Sequence, residues 1–124
     1  MAITSSAEDY LEIILLLTKK AVTIRPIDIV NEMGYSRPSV SVAMRKLRTQ
    51  NLIEVDDDGN ISLTESGQQR AQMIYNRHTV LYDWLVSLGI SEKTAAADAC
   101  RMEHILSEHT FNAFKNLYEE SLKA

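Results

Sequence analysis

Two helix starts and one helix stop crowd the stretch from Pro26 to Pro38, and that spacing constrains the fold more than any other feature of the chain. Pro26 suits a first helical turn, where a missing N–H is no loss, and Gly34 suits the left-handed position that ends a helix. The spacing predicts a short helix over Pro26 to Met33. Ser36-Arg37-Pro38 restarts the helix, with Ser36 as cap, and Val40, Ala43, Met44 and Leu47 recur at helical spacing until about Gln50. Two short helices joined by a tight turn form the helix-turn-helix pattern, whose second helix can enter the DNA major groove. Leu52 to Val55 and Asn60 to Leu63 then flank Asp56-Asp57-Asp58-Gly59, which predicts a two-stranded hairpin, the wing of a winged helix.

The flanking segments are helical by the same criteria. A first helix is expected over about residues 6 to 19, capped by Ser5 or Ser6, with Tyr10, Leu11, Ile14, Leu15 and Leu17 as its apolar positions. A long helix starts at Thr64-Glu65-Ser66-Gly67 and carries Ala71, Ile74, Tyr75, His78, Leu81, Tyr82 and Leu85 before Gly89 stops it. Ser91 opens another, running to about Ser107. A last amphipathic helix to about Leu122 presents Phe111, Phe114, Leu117 and Tyr118. The expected fold is mostly α with a small β-hairpin: a winged helix-turn-helix over residues 1–70, followed by an all-helical unit over residues 71–124.

With 17 acidic against 13 basic residues, the net charge of −4 argues by itself against a nucleic-acid partner. Local charge reverses that argument. From Gly34 to Asn51 the chain has Arg37, Arg45, Lys46 and Arg48 and no acidic residue. Arg37, Pro38, Ser39 and Ser41 fall on the early part of the second short helix, within reach of base edges, whereas Arg45, Lys46 and Arg48 suit phosphates. The acidic hairpin tip would be repelled by phosphate, so the wing is expected either to position the domain weakly or to hold its tip away from the duplex. The longest aliphatic run, Ile13 to Leu17, cannot span a membrane, and the first residues lack a signal-peptide pattern, so the expected location is the cytoplasm. Cys100 is the only cysteine; it is either a buried small hydrophobe or a thiolate ligand.

Cys100, Glu103 and His104 share one helical face at i, i+3 and i+4. Asp9 and Glu12 are three apart on the first helix, and His78 interrupts a largely apolar stretch of the long helix. All six are metal-competent. Spacing alone leaves open whether three helices converge, since an isolated histidine or Glu-His pair is commonly structural or solvated.

The opening Ser6-Ala7-Glu8-Asp9-Tyr10-Leu11-Glu12, the step Asn76-Arg77-His78 and above all Ala99-Cys100-Arg101-Met102-Glu103-His104-Ile105-Leu106-Ser107 resemble the diphtheria toxin repressor family, within it the short manganese transport regulators. The resemblance spans nearly the whole chain. It implies a metal-dependent repressor of manganese or iron homeostasis, not an enzyme, acting as a homodimer on a palindromic double-stranded operator. Asp9, Glu12, His78, Glu103 and His104 match the ligand positions of the manganese regulators. Cys100 stands where that branch has a carboxylate and is more typical of the iron branch, whereas Asp9 stands where the iron branch has methionine. Tyr82 and Ala96 do not offer the acid and imidazole of the iron branch's ancillary site. The extra C-terminal domain of many iron-type members is not expected after Ala124. The implied cofactor is Mn2+ or Fe2+, with Zn2+ or Co2+ able to bind in vitro through the thiolate. The competing readings are a winged-helix regulator of a small organic ligand, a protein-binding adaptor, and a metal-dependent hydrolase, for which no water-activating motif is present.

Overall fold

The computed structural model describes residues 5–123, in the order α1 (Ser5–Thr18), α2 (Pro26–Met33), α3 (Arg37–Thr49), β1 (Ile53–Val55), β2 (Ile61–Leu63), α4 (Glu65–Ser87), α5 (Glu92–Ile105) and α6 (Glu108–Leu122). Two compact units divide between Gln72 and Met73, inside α4.

In the first unit, α1 packs on α2, α3 and β2, and α3 packs on β1. Leu11, Ile14, Ile29, Val40, Leu47 and Ile53 are almost fully buried and form its centre. Gly34 ends α2 with φ 72°, its N–H donating to the Val30 carbonyl at 2.9 Å, the left-handed cap expected of a glycine there. At the other end of α2 the Arg25 N–H donates to the Asp28 carboxylate at 2.9 Å, a cap from inside the first turn. Because α1 already includes Ser5 and Ser6, neither stands in the expected capping position before it; the residue preceding Ser5 lies outside the described residues.

The hairpin pairs Ile53 with Leu63 and Val55 with Ile61, antiparallel. Ile61 N–H donates to the Ile24 carbonyl at 2.7 Å, so the segment before α2 ties the wing's inner strand to the helices.

The second unit is built from Leu81, Leu85, Ala95, Ala99 and Phe111, with Trp84, Met102, Leu106 and Phe114 packed around them. Ala95 and Ala99 are the buried positions by which α5 joins this core. Ser91 and Ser107 cap α5 and α6, accepting from the N–H groups of Thr94 at 3.3 Å and Thr110 at 3.1 Å, the same device by which Ser36 caps α3. Among the described residues, no helix is long and apolar enough to cross a membrane.

Candidate metal centre and nucleic-acid interface

Val40, Met44 and Leu47 take the inward positions of α3, and Arg37, Pro38, Ser39, Ser41, Arg45, Lys46 and Arg48 are all exposed in consequence. The cap changes what Ser39 can do. Ser36 Oγ accepts its N–H at 3.3 Å and donates to its hydroxyl at 2.9 Å, so Ser39 is occupied in starting the helix, while Ser41 stands half a turn further on. Val42, 44% exposed, was not legible as a surface residue, since its aliphatic side chain sits next to the buried ladder in sequence but off it in space. An exposed branched aliphatic among arginines suits a thymine methyl.

The wing tip is less forbidding than three consecutive aspartates suggest. The Asp56 carboxylate accepts from the backbone N–H groups of Asp58 and Asn60, both at 2.9 Å, and from Asn60 Nδ2 at 3.1 Å. Those hydrogen bonds, the Asn60 N–H first among them, hold its carboxyl below the usual range, and Arg25 adds to the effect. Its charge is turned into the hairpin. Asp57 and Asp58 remain exposed at the tip.

In the second unit, α4 and α5 bring four of the six candidate ligands together. His78 Nδ1 lies 2.8 Å from Glu103 Oε2, a hydrogen bond when that nitrogen carries the proton. One ligand atom each from Cys100, Glu103 and His104 fall within 4.8 Å of one another. Glu103 is fully buried, and its Oε1 has no hydrogen-bond partner; His104 Nε2 stands 3.4 Å away, close enough for attraction but not aligned as a donor. A buried carboxylate oxygen left without a donor costs roughly 1–3 kcal/mol or more. Beside a thiol and an imidazole, that oxygen completes a donor set whose chemistry suits a divalent cation. Cys100 is exposed, so it is not an inert buried hydrophobe.

In the first unit, Asp9 and Glu12 lie on α1, three apart on one face and half-buried. Between them Tyr10 is buried edge-on to Tyr35, at 5.9 Å between centroids, and burial raises its phenol pKa above the ordinary value.

Arg77 went unremarked among the ligand candidates, although the apolar ladder Ile74, Leu81, Leu85 passes through it. It is 9% exposed. A long cation on a buried register is the signal that could have singled it out.

A basic helix in one unit and a carboxylate–imidazole–thiol cluster in the other define a class, a DNA-binding regulator with a metal-binding half. Residues 2–61 match the family model of the iron dependent repressor N-terminal DNA binding domain, and residues 64–121 match that of the iron dependent repressor metal binding and dimerisation domain. The transcriptional regulator MntR of Escherichia coli is 35% identical over 108 residues, 87% of this chain and 70% of that protein. A helix-turn-helix regulator of Methanocaldococcus jannaschii is 32% identical over 121 residues, 94% of this chain and 95% of that one. Among solved structures, the manganese regulator SloR superposes with a TM-score of 0.78 at 27% identity over 99% of this chain; the chain spans about half of SloR, 55% of its length. The chain belongs to the iron-dependent repressor family, whose members are metal-dependent transcriptional regulators.

Proposed function

We propose that this chain is a cytoplasmic repressor, not an enzyme, that senses Mn2+ or Fe2+ through Asp9, Glu12, His78, Cys100, Glu103 and His104 and reads a palindromic operator as a homodimer. The observation that carries the reading is Glu103, a buried carboxylate with one oxygen held by His78 and the other lacking a donor. Asp9, Glu12, His78, Cys100, Glu103 and His104 would hold the cation, which would supply the positive charge that offsets their carboxylates. The chain's own residues do the rest. Asp9 and Glu12 lie on α1, on which α2 and α3 pack. Without neutralisation the carboxylates would repel one another, and the two recognition helices of a dimer would lose the fixed spacing that a palindrome requires, about one helical turn of DNA. Oxygen and imidazole donors suit manganese or ferrous iron; Cys100 adds affinity for Zn2+ and Co2+ in vitro.

Selection from a random duplex pool tests the reading. With Mn2+ present the chain is expected to enrich an inverted repeat, and with a chelator to enrich nothing. Enrichment that is indifferent to the ion would favour a regulator of some other ligand.

Substitutions on α3 separate affinity from specificity. Lys46→Ala is expected to weaken binding to all duplexes alike and to lower the salt slope by about one. Arg37→Ala is expected to cost about 1–3 kcal/mol of discrimination at a base position. Anisotropy titrations at several salt concentrations measure both, and a Lys46→Ala slope equal to the parent's removes that phosphate contact.

Dimerisation has a candidate surface. Phe111 is buried within the unit and Phe114 half-buried, but Ile105 and Leu117 are 77% and 58% exposed. At a two-fold interface each residue is buried twice, and burying a leucine contributes about 1.5–3 kcal/mol. Leu117→Lys is therefore expected to raise the dimer dissociation constant roughly a hundredfold or more. Sedimentation velocity across a dilution series checks this; an unchanged dimer places the interface elsewhere.

A further inference from the structure

The last turn of α5 carries both Glu103 and His104, and the last carbonyls of a helix have no partner of their own. In this chain two of them are claimed by one side chain. Arg77 Nη1 donates to the Glu103 carbonyl at 3.2 Å and to the Leu106 carbonyl at 2.8 Å. Its guanidinium carbon lies 5.1 Å from the centre of the Phe111 ring on α6, over which the cation is stabilised. Positive charge at a helix C-terminus is favourable in its own right.

The neighbouring residue completes the arrangement. His78 holds the side chain of Glu103, at 2.8 Å, while Arg77 holds its main chain. Consecutive residues of α4 thus fix one glutamate at both ends.

We propose that Arg77 is a positioning residue for the metal centre, holding the C-terminal turn of α5 so that Glu103 and His104 present their donors together. The inference rests on the metal-binding reading above. Glu103 can turn about its side-chain bonds and His104 follows the same backbone; a frayed last turn would let both swing away from His78 and Cys100. A preorganised turn removes that cost from ion binding. Residues that orient ligands typically change metal affinity by about 10–100-fold when removed.

The test compares Arg77→Met, which keeps the aliphatic stem and deletes the donors, with Arg77→Lys, whose single ammonium can donate to both carbonyls. Mn2+ affinity is read from the free-ion electron paramagnetic resonance signal, and folding of the ion-free chains from circular dichroism and melting. Arg77→Met is expected to remain folded and to bind Mn2+ about 10–100-fold more weakly, with Arg77→Lys recovering most of the loss. Two results would overturn the proposal: an Arg77→Met chain that folds and binds within about twofold of the parent, or an Arg77→Lys chain that folds and binds no better than about 10-fold below the parent. Should Arg77→Met be unfolded, the lysine variant still reports whether the carbonyl bonds alone sustain affinity. A parent chain that binds no Mn2+ sinks the metal reading itself, whereas a binding parent with an indifferent Arg77→Met sinks only this inference.

Discussion

Glu103→Gln is expected to lose Mn2+ affinity by at least about a hundredfold, beyond the range typical of residues that only support a ligand, while leaving the ion-free chain as stable as before or more so. The two effects have opposite signs for one reason. In the ion-free chain Glu103 is fully buried, with Oε1 lacking a hydrogen-bond donor and the His78 and His104 imidazoles at 2.8 and 3.4 Å from its carboxylate. A neutral amide of the same shape removes the desolvation cost of a buried charge, and its oxygen can still accept from His78. With an ion present, the same carboxylate would be one of the groups that hold it, beside His78, Cys100 and His104, and an amide oxygen is a far poorer partner for a divalent cation. Melting with and without Mn2+ measures both halves. A structural glutamate would show the reverse pattern: lower stability without the ion and unchanged response to it. If Glu103→Gln keeps its Mn2+-dependent rise in melting temperature, the cluster on α4 and α5 is not the metal centre.

The chain order of the fold could be read because its punctuation is local. Pro26, Gly34, Ser36, Ser91 and Ser107 act on the backbone within three or four residues, and each stands at the helix end where capping geometry puts it. The candidate ligand cluster could be read in part for a similar reason, since Cys100, Glu103 and His104 share one helical face whatever surrounds them. Burial was another matter. Nothing in the spacing distinguishes Phe111, which closes the second core, from Leu117, which is exposed on the same helix; the difference comes from what α4 and α5 put opposite each. The same holds for Val42 and Ser39, whose roles depend on the inward turn of Val40 and on the Ser36 cap. Arg77 shows the limit most clearly. Its partners are main-chain carbonyls at Glu103 and Leu106, and a carbonyl has no sequence signature.

Gly67 carries the largest expected effect on stability. It stands in the first turn of α4, where helix propensity alone makes alanine better than glycine by about 1 kcal/mol. Packing reverses the sign. A Cβ at Gly67 would overlap the Leu52 carbonyl oxygen, and would stand 2.9 Å from the carbonyl carbon and 3.3 Å from Leu63 Cδ2. That carbonyl cannot step aside, because it accepts the Thr64 N–H at 3.1 Å, while Thr64 Oγ1 in turn donates to the Asn51 carbonyl at 2.8 Å and accepts the Gly67 N–H at 3.0 Å. The start of α4 and the base of the wing are thus one hydrogen-bonded unit, and the only relief is to move them apart. Overpacking of this kind typically costs about 1–3 kcal/mol, and more when backbone must move. Gly67→Ala is therefore expected to lower the melting temperature of the first unit by about 10 °C or more. Ser66→Ala, one residue earlier and exposed, is expected to raise it slightly or leave it unchanged, since it gains propensity with nothing to strike. Urea or thermal denaturation followed by circular dichroism compares the two. If both alanines stabilise alike, helix propensity governs this turn and the close approach of Leu52 to α4 is not a feature of the folded chain.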